Sequence, residues 1–163
     1  MNKKTIVYSI IAIMVLIIID QITKYVIVVT MDEGQSIEII KDFFYLSSHR
    51  NSGALWGIMQ QQMITFYLVT IAALGFFYYL LKDADFTNKK FYSISIILLI
   101  AGGIGNFIDR IIFKEVVDFL NFYIFGFNFA IFNFADMCLT VGVAMFAIDV
   151  LILDGKRKKS TSN

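Results

Sequence analysis

The sequence predicts an all-α integral membrane protein with four transmembrane helices and a small region of strands and loops outside the membrane. Hydrophobic residues make up 58% of the 163-residue chain, and its mean hydropathy is +0.73. Both values are too high for a soluble domain and fit a chain surrounded by lipid. Four apolar runs are long enough to cross a hydrocarbon core of about 30 Å. We expect residues 1–163 to form a single membrane domain.

The first helix is predicted at about residues 6–29, directly after Lys3 and Lys4. A secretory signal also begins with positive charge, but its apolar region is shorter and ends in small residues, so we expect this helix to stay uncleaved. Asp20 and Lys24 lie four residues apart and share a helix face. They form either an ion pair whose lysine extends to the membrane interface or part of the support of a functional site.

The other three helices are predicted at about residues 63–81, 91–112 and 134–153. We expect the regions at about 30–62 and 113–133, which connect the spans on one side, to lie outside the bilayer, and residues 31–62 are polar enough for this. Within the first of them, residues 36–40 and 43–48 have the β-branched and aromatic bias of short strands.

The distribution of basic residues predicts the orientation of the chain. With four spans, both termini lie on one side of the membrane. The termini and the 82–90 loop carry nine lysines and arginines, whereas the other two loops carry four. Because basic residues favour the cytoplasmic side, we expect both termini in the cytoplasm and the 30–62 and 113–133 regions at the outer face.

An aromatic stretch from Val116 to Asp136 carries an aspartate near each end, Asp118 and Asp136. Phe-Gly-Phe-Asn at 125–128 is predicted to be the turn that brings these ends together. Two carboxylates held close share a proton, so that one acts as base and the other as acid toward a water attacking an amide. Asn133 and Asp136 also predict a capping box for the fourth helix, but this leaves Asp118 unexplained.

Further polar residues lie at the outer ends of the predicted spans. Asn106, Asp109 and Arg110 share one face of the third helix, and the aspartate and arginine form either an interfacial salt bridge or part of a site. The glycines just before them are predicted to allow close helix packing. Asn51, beside Gly53, is either a turn residue or a site residue. Trp56 and Tyr67 are interpreted as interface or packing residues.

Other chemistries have little support in the sequence. His49 has no triad partners among its neighbours, and Cys138 is interpreted as a packing thiol in the fourth helix. A single cysteine excludes an internal disulfide and a multi-cysteine metal site. The net charge of +1 gives no indication of nucleic-acid binding.

Five motifs, in order along the chain, resemble the signature blocks of the lipoprotein signal peptidase (signal peptidase II) family. They are Asp20-Gln-Ile-Thr-Lys24, Asn51-Ser-Gly-Ala, Gly102-Gly-Ile-Gly-Asn106-Phe-Ile-Asp109-Arg110, Val117-Asp118-Phe119 and Phe132-Asn133-Phe-Ala-Asp136. They extend from the first helix to the fourth and so cover most of the chain.

The resemblance implies a bacterial inner- or plasma-membrane aspartic endopeptidase that uses no metal or other cofactor. Such an enzyme removes signal peptides from prolipoproteins by cutting before a diacylglyceryl-modified cysteine. It implies Asp118 and Asp136 as catalytic residues. Supporting roles fall on Asp20, Lys24, Asn51, Gly53, Asn106, Asp109, Arg110 and Asn133. The family fold adds a small extracellular sheet and a short lid-like helix, and a monomer is expected.

Two other functions are compatible with the residues. A small proton- or solute-conducting membrane protein needs polar groups through the full membrane thickness. Here most carboxylates cluster at the outer half, with Asp149 alone near the cytoplasmic end. A membrane scaffold that binds a partner through its aromatic outer loops would tolerate replacement of Asp118 and Asp136.

Overall fold

The protein is built on four long helices. The computed structural model describes residues 3–53, 63–155 and 157. The helices are α1 (Lys3–Thr30), α2 (Met63–Leu81), α3 (Lys90–Phe113) and α4 (Phe134–Ile148), which continues as a π-helical turn at Asp149–Leu153. Each span, counting the π turn with α4, is long and apolar enough to cross a membrane. The predicted helices are confirmed, with a π-helical turn at Asp149–Leu153 within the last part of the fourth.

The outer regions contribute one antiparallel sheet of four strands in the order β1-β2-β3-β4. The strands are β1 (Ser36–Ile40), β2 (Phe44–Asn51), β3 (Val116–Ile124) and β4 (Phe127–Asn128). The strand at 36–40 is confirmed, and the one at 43–48 is corrected to 44–51. The small sheet implied by the family resemblance is also present. The described residues of the outer regions contain no lid-like helix. Residues 54–62, which include Trp56, lie outside the described residues.

The third helix lies at the centre of the bundle. More than half of its apolar segment is buried, against less than a fifth for each of the other three spans. The predicted close packing of the glycines is confirmed. A Cβ added at Gly102 would lie 2.5 Å from the carbonyl oxygen of Ala135 in α4. Only glycine lets the two backbones approach this closely, and this contact places the start of α4 beside α3.

The β3 strand is seated directly on the outer end of the first helix. Val117 and Phe119 are buried against Ile27 and Met31 at the end of α1. Since burial of such side chains is worth roughly 1.5–3 kcal/mol each, this cluster holds β3 in place. Asp118, between Val117 and Phe119, is thereby fixed above the helix bundle.

Candidate active site

The two aspartates of the aromatic stretch are brought together by a tight hairpin. Phe125 and Gly126, between β3 and β4, both have positive φ angles, 51° and 79°. Such angles at both central residues match the twist of a two-residue hairpin, so the predicted turn is confirmed. The returning chain pairs Phe132 with Leu120 and enters α4 next to Asp118. Asp118 is 2% exposed, and Asp136 is half-buried in the first turn of α4.

One asparagine bonds to both aspartates. The backbone N–H of Asp136 donates to Oδ1 of Asn133 at 2.9 Å, and Oδ2 of Asp136 accepts from the backbone N–H of Asn133 at 3.2 Å. The predicted capping box is therefore confirmed. Nδ2 of the same asparagine donates to Oδ1 of Asp118 at 2.7 Å. Asn133 is fully buried, so the cap of α4 is also the bridge between the two carboxyl groups.

Two more asparagines complete the hydrogen bonds to the pair. Nδ2 of Asn51 donates to Oδ2 of Asp118 at 2.9 Å, and Nδ2 of Asn106 donates to Oδ1 of Asp136 at 2.7 Å. All four carboxyl oxygens thus accept an N–H. The orientation of each asparagine side-chain amide is fixed, because its oxygen accepts a hydrogen bond from another donor and its nitrogen is left facing the carboxyl group. These donors are Gly53 N for Asn51, Lys24 Nζ for Asn106 and Asp136 N for Asn133.

Asn51, Asn106 and Asn133 form a frame of hydrogen bonds around the two aspartates, and Lys24 lies buried beneath this frame. Its Nζ atom is 2.9 Å from Asp20, 3.0 Å from Asp109 and 3.0 Å from Oδ1 of Asn106. The predicted ion pair between Asp20 and Lys24 is confirmed, but Lys24 is only 2% exposed and does not extend to the membrane interface. A charge buried this deeply needs the two carboxylates to offset its desolvation. The salt bridge suggested between Asp109 and Arg110 is also wrong, since Asp109 pairs with Lys24.

Asp20 and Asp109 connect the frame to the backbone on either side of the pair. Oδ1 of Asp20 accepts from the N–H of Ala135 at 2.9 Å, and Oδ2 of Asp109 accepts from the N–H of Val117 at 3.1 Å. Gln21 donates to both carboxylates at 3.1 Å. Sequence reasoning missed Gln21 as a site residue, and its position between Asp20 and Lys24 was the available signal.

Arg110 brings a positive charge to the side of the site nearest Gly53. Its Nη2 donates to the carbonyl of Gly53 at 3.2 Å, and its guanidinium lies 4.5 Å from the ring centre of Phe66. Its Nε is buried without a hydrogen-bond partner in the described part of the chain. Tyr67 donates to the carbonyl of Arg110 at 2.8 Å, so its interpretation as a packing residue is confirmed.

The environment of Asp118 favours its protonated form. Burial, and to a smaller extent the negative charge of Asp136, raise the pKa of Asp118 to about 7. The hydrogen bonds from Asn51 and Asn133 and the charge of Lys24 act in the opposite direction. The pair can therefore retain one proton near neutral pH, as acid–base hydrolysis by two carboxyl groups requires.

The remaining sequence candidates lie apart from this chemistry. His49 is exposed on β2, opposite Asp118 in the strand register. Cys138 is buried in α4, which confirms its interpretation as a packing thiol. Within the described residues, no three histidine, cysteine, aspartate or glutamate side chains are grouped as a metal site requires.

Two aspartates held together by hydrogen bonds at the end of a helical membrane bundle are the arrangement that a membrane aspartic hydrolase requires. The comparisons with known proteins identify the family. The model of the "Signal peptidase (SPase) II" family matches residues 12–152. Lipoprotein signal peptidases of Staphylococcus aureus strains JH9 and Newman are each 46% identical over 161 residues, covering 98% of this chain and 97% of theirs.

Solved structures of bacterial membrane enzymes have the same fold. One bacterial membrane enzyme, determined by the in meso method, has a TM-score of 0.81 and 46% identity, covering 88% of this chain and 87% of its own. A second has a TM-score of 0.79 and 45% identity, covering 89% and 93%. This chain belongs to the signal peptidase II family. It is a multi-pass membrane peptidase that cleaves lipoprotein signal peptides, so the peptidase hypothesis is favoured over the conducting and scaffold alternatives.

Proposed function

We propose that Asp118 and Asp136 are the catalytic pair and that they hydrolyse the amide bond before the diacylglyceryl-modified cysteine of a prolipoprotein. The observation that carries this proposal is Asn133, which bonds to both carboxyl groups and holds them in one buried site. A bond to only one of them would serve helix capping or strand packing alone.

The proposed reaction needs one proton on the pair. An ionised carboxylate takes a proton from water while the water oxygen bonds to the amide carbon. The protonated partner gives its proton to the carbonyl oxygen. Collapse of the resulting intermediate breaks the C–N bond and delivers a proton to the leaving amine. The asparagine frame keeps the four carboxyl oxygens in place throughout, which lowers the cost of positioning them at each turnover.

The edge of the site offers groups for holding the substrate backbone. Arg110 has a donor at Nε that is still without a partner among the described residues, and its guanidinium lies next to the carbonyl of Gly53. A planar guanidinium is well suited to a peptide carbonyl. We propose that Arg110 and Gly53 contact the substrate, while Asp20, Lys24, Asn51, Asn106, Asp109 and Asn133 support the catalytic pair.

We further propose that the site faces the outer side of the membrane and that both termini are cytoplasmic. The excess of basic residues at the termini and in the 82–90 loop supports this orientation. A monomer is sufficient, because every residue of the site comes from one chain. Cysteine labelling of single-cysteine variants from the two sides of intact cells tests the orientation. Labelling of an introduced cysteine at Lys41 only from inside would contradict it.

The catalytic assignment is tested with purified protein and a synthetic diacylated prolipoprotein. Asp118→Asn and Asp136→Asn should each lose cleavage by several orders of magnitude while remaining folded in detergent. Asp149→Asn is the matched control, because Asp149 is also buried, at 1% exposure, but pairs with Arg157 at the other end of α4. It should retain cleavage. Near-normal cleavage by either Asn variant of the pair would refute the assignment.

A further inference from the structure

The two carboxyl groups of the pair have different surroundings, although each accepts two N–H donors. Asp136 lies in the first turn of α4, where the aligned peptide dipoles favour a negative charge. One of its oxygens accepts from the backbone N–H of Asn133. The other accepts from Asn106, whose own oxygen accepts from the Lys24 ammonium at 3.0 Å. A cation thus acts on Asp136 through a single amide.

Asp118 lies on β3 and not within the first turn of a helix, so its own peptide group does not belong to an aligned helix dipole. Among the described residues, its hydrogen-bond partners are the neutral amides of Asn51 and Asn133, at 2.9 and 2.7 Å, and no cation bonds to it directly. It is 2% exposed and flanked by the buried side chains of Val117 and Phe119. A carboxylate in such a place loses hydration without gaining a directly bonded cation, so its neutral form is favoured.

The elements packed around the pair carry charges of both signs. The charged or titratable groups are Asp20 and Lys24 on α1, His49 and Arg50 on β2, Tyr67 on α2, Asp109 and Arg110 on α3, and Cys138 on α4. Lys24 is bonded to both Asp20 and Asp109, so two negative charges already surround it. Arg110, at the edge of the site, can offset one negative charge of the catalytic pair but not a second, so we expect the pair to retain one proton.

We propose that the resting proton belongs to Asp118, that Asp136 is the ionised base, and that Lys24 is a positioning residue that acts on Asp136 through Asn106. This assignment rests on the proposed catalytic pair and divides the two roles between its members. Asp136 takes the proton of the attacking water as the oxygen–carbon bond forms, and Asp118 gives its proton to the carbonyl oxygen. On collapse Asp136 protonates the leaving nitrogen, the C–N bond breaks, and Asp118 regains a proton from a hydroxyl group of the intermediate.

The two asparagines at the ends of the frame allow the roles to be tested separately. Within the described residues, Asn51 bonds to Asp118 and Asn106 bonds to Asp136. A hydrogen bond donated to a carboxylate favours the charged form, so its removal makes that group hold a proton to higher pH. In profiles of kcat/KM against pH, the acid limb reports protonation of the base and the alkaline limb reports loss of the proton from the acid.

Asn51→Ala should therefore move the alkaline limb up by about one to two pH units and leave the acid limb in place. Asn106→Ala should move the acid limb up and leave the alkaline limb. Lys24→Met should move the acid limb in the same direction, and Lys24→Arg, which keeps the charge, should restore it. The reverse pattern, or equal movement of both limbs in both asparagine variants, would overturn the assignment.

If these variants cannot be produced in sufficient amounts, infrared spectroscopy gives an independent test of which aspartate holds the proton. Between about pH 5 and 6, the wild-type protein and Asp136→Asn should show the infrared carbonyl stretch of a buried carboxylic acid at Asp118, and Asp118→Asn should lack that band. The opposite result would assign the proton to Asp136. Neither result bears on whether the pair is catalytic, which the cleavage assay of the two Asn variants decides separately.

Discussion

Replacement of Gly105 by alanine gives the most direct test of how helix packing maintains the site. A Cβ at this position would lie 2.6 Å from Oδ2 of Asp20 and 3.1 Å from Cβ of Ala135. Ordinary van der Waals contact begins at about 3.4 Å, so the carboxylate must move by roughly 0.8 Å. That movement breaks its contacts with Lys24 and with the Ala135 N–H, both now at 2.9 Å.

The size of the effect follows from two opposing contributions. Alanine is favoured over glycine in a helix by about 1 kcal/mol. Disruption of a buried ion pair costs about 3–5 kcal/mol. We therefore expect Gly105→Ala to lower the free energy of unfolding by about 2–4 kcal/mol and to reduce cleavage strongly, because Asp20 no longer supports the start of α4.

The matched control is Gly75→Ala in α2. A Cβ at Gly75 would meet no heavy atom of the described residues within 4 Å, so alanine should be neutral or stabilising by up to about 1 kcal/mol. Both variants are measured by thermal unfolding in one detergent and by cleavage of the diacylated substrate. Wild-type stability and activity in Gly105→Ala would refute the view that the close approach of α1 and α3 is required to hold Asp20.

Three further predictions concern the buried polar residues. Asn133→Ser keeps an N-cap oxygen but loses the amide that donates to Asp118, Asn106 and the carbonyl of Val117, so the free energy of unfolding should fall by about 1–3 kcal/mol and cleavage at least tenfold. Asp118→Asn removes a carboxyl group whose pKa in the folded protein, about 7, exceeds its value in the unfolded chain. The substitution should therefore stabilise the protein above about pH 7, by at most about 4 kcal/mol, and have little effect below about pH 4. Thermal unfolding measured over this pH range tests this. Lys24→Met leaves the carboxylates of Asp20 and Asp109 facing each other and should lower the free energy of unfolding by about 3–5 kcal/mol. In a double-mutant cycle, Lys24→Met combined with Asp109→Asn should restore part of this loss.

Each of these predictions has a contradicting outcome. Full activity in Asn133→Ser would show that the bridge to Asp118 is dispensable. A stability difference for Asp118→Asn that does not grow with pH would show that burial does not disfavour its charged form. Additive effects in the double-mutant cycle would show that Lys24 and Asp109 do not interact energetically.

The helices could be predicted from the sequence because their physical requirement is local. A run of apolar residues of sufficient length must form a helix in a membrane, since each backbone polar group needs a partner there. The observed spans therefore fall within a few residues of the predicted ones. The capping box at Asn133 and Asp136 was equally predictable, because its two partners are three residues apart.

The β3 strand shows why other elements were not predictable in detail. Val116–Ile124 was recognised as an aromatic stretch, but its strand conformation depends on pairing with β2, more than sixty residues earlier in the chain. Its first residues are buried without regular alternation, because Val117 and Phe119 pack on α1 while Asp118 enters the site. Such a pattern gives no clear period-two signal.

The sequence by itself determined the class of the protein, its four spans and the residues of its site, because apolar length and five ordered motifs are properties of composition and spacing. The tertiary structure decided how those residues divide their work. Lys24 turned out to be buried between Asp20 and Asp109, and Asn133 to join the two aspartates. These contacts connect residues up to 115 positions apart, and they form because close packing of α1, α3 and α4 leaves the polar groups no water to bond with.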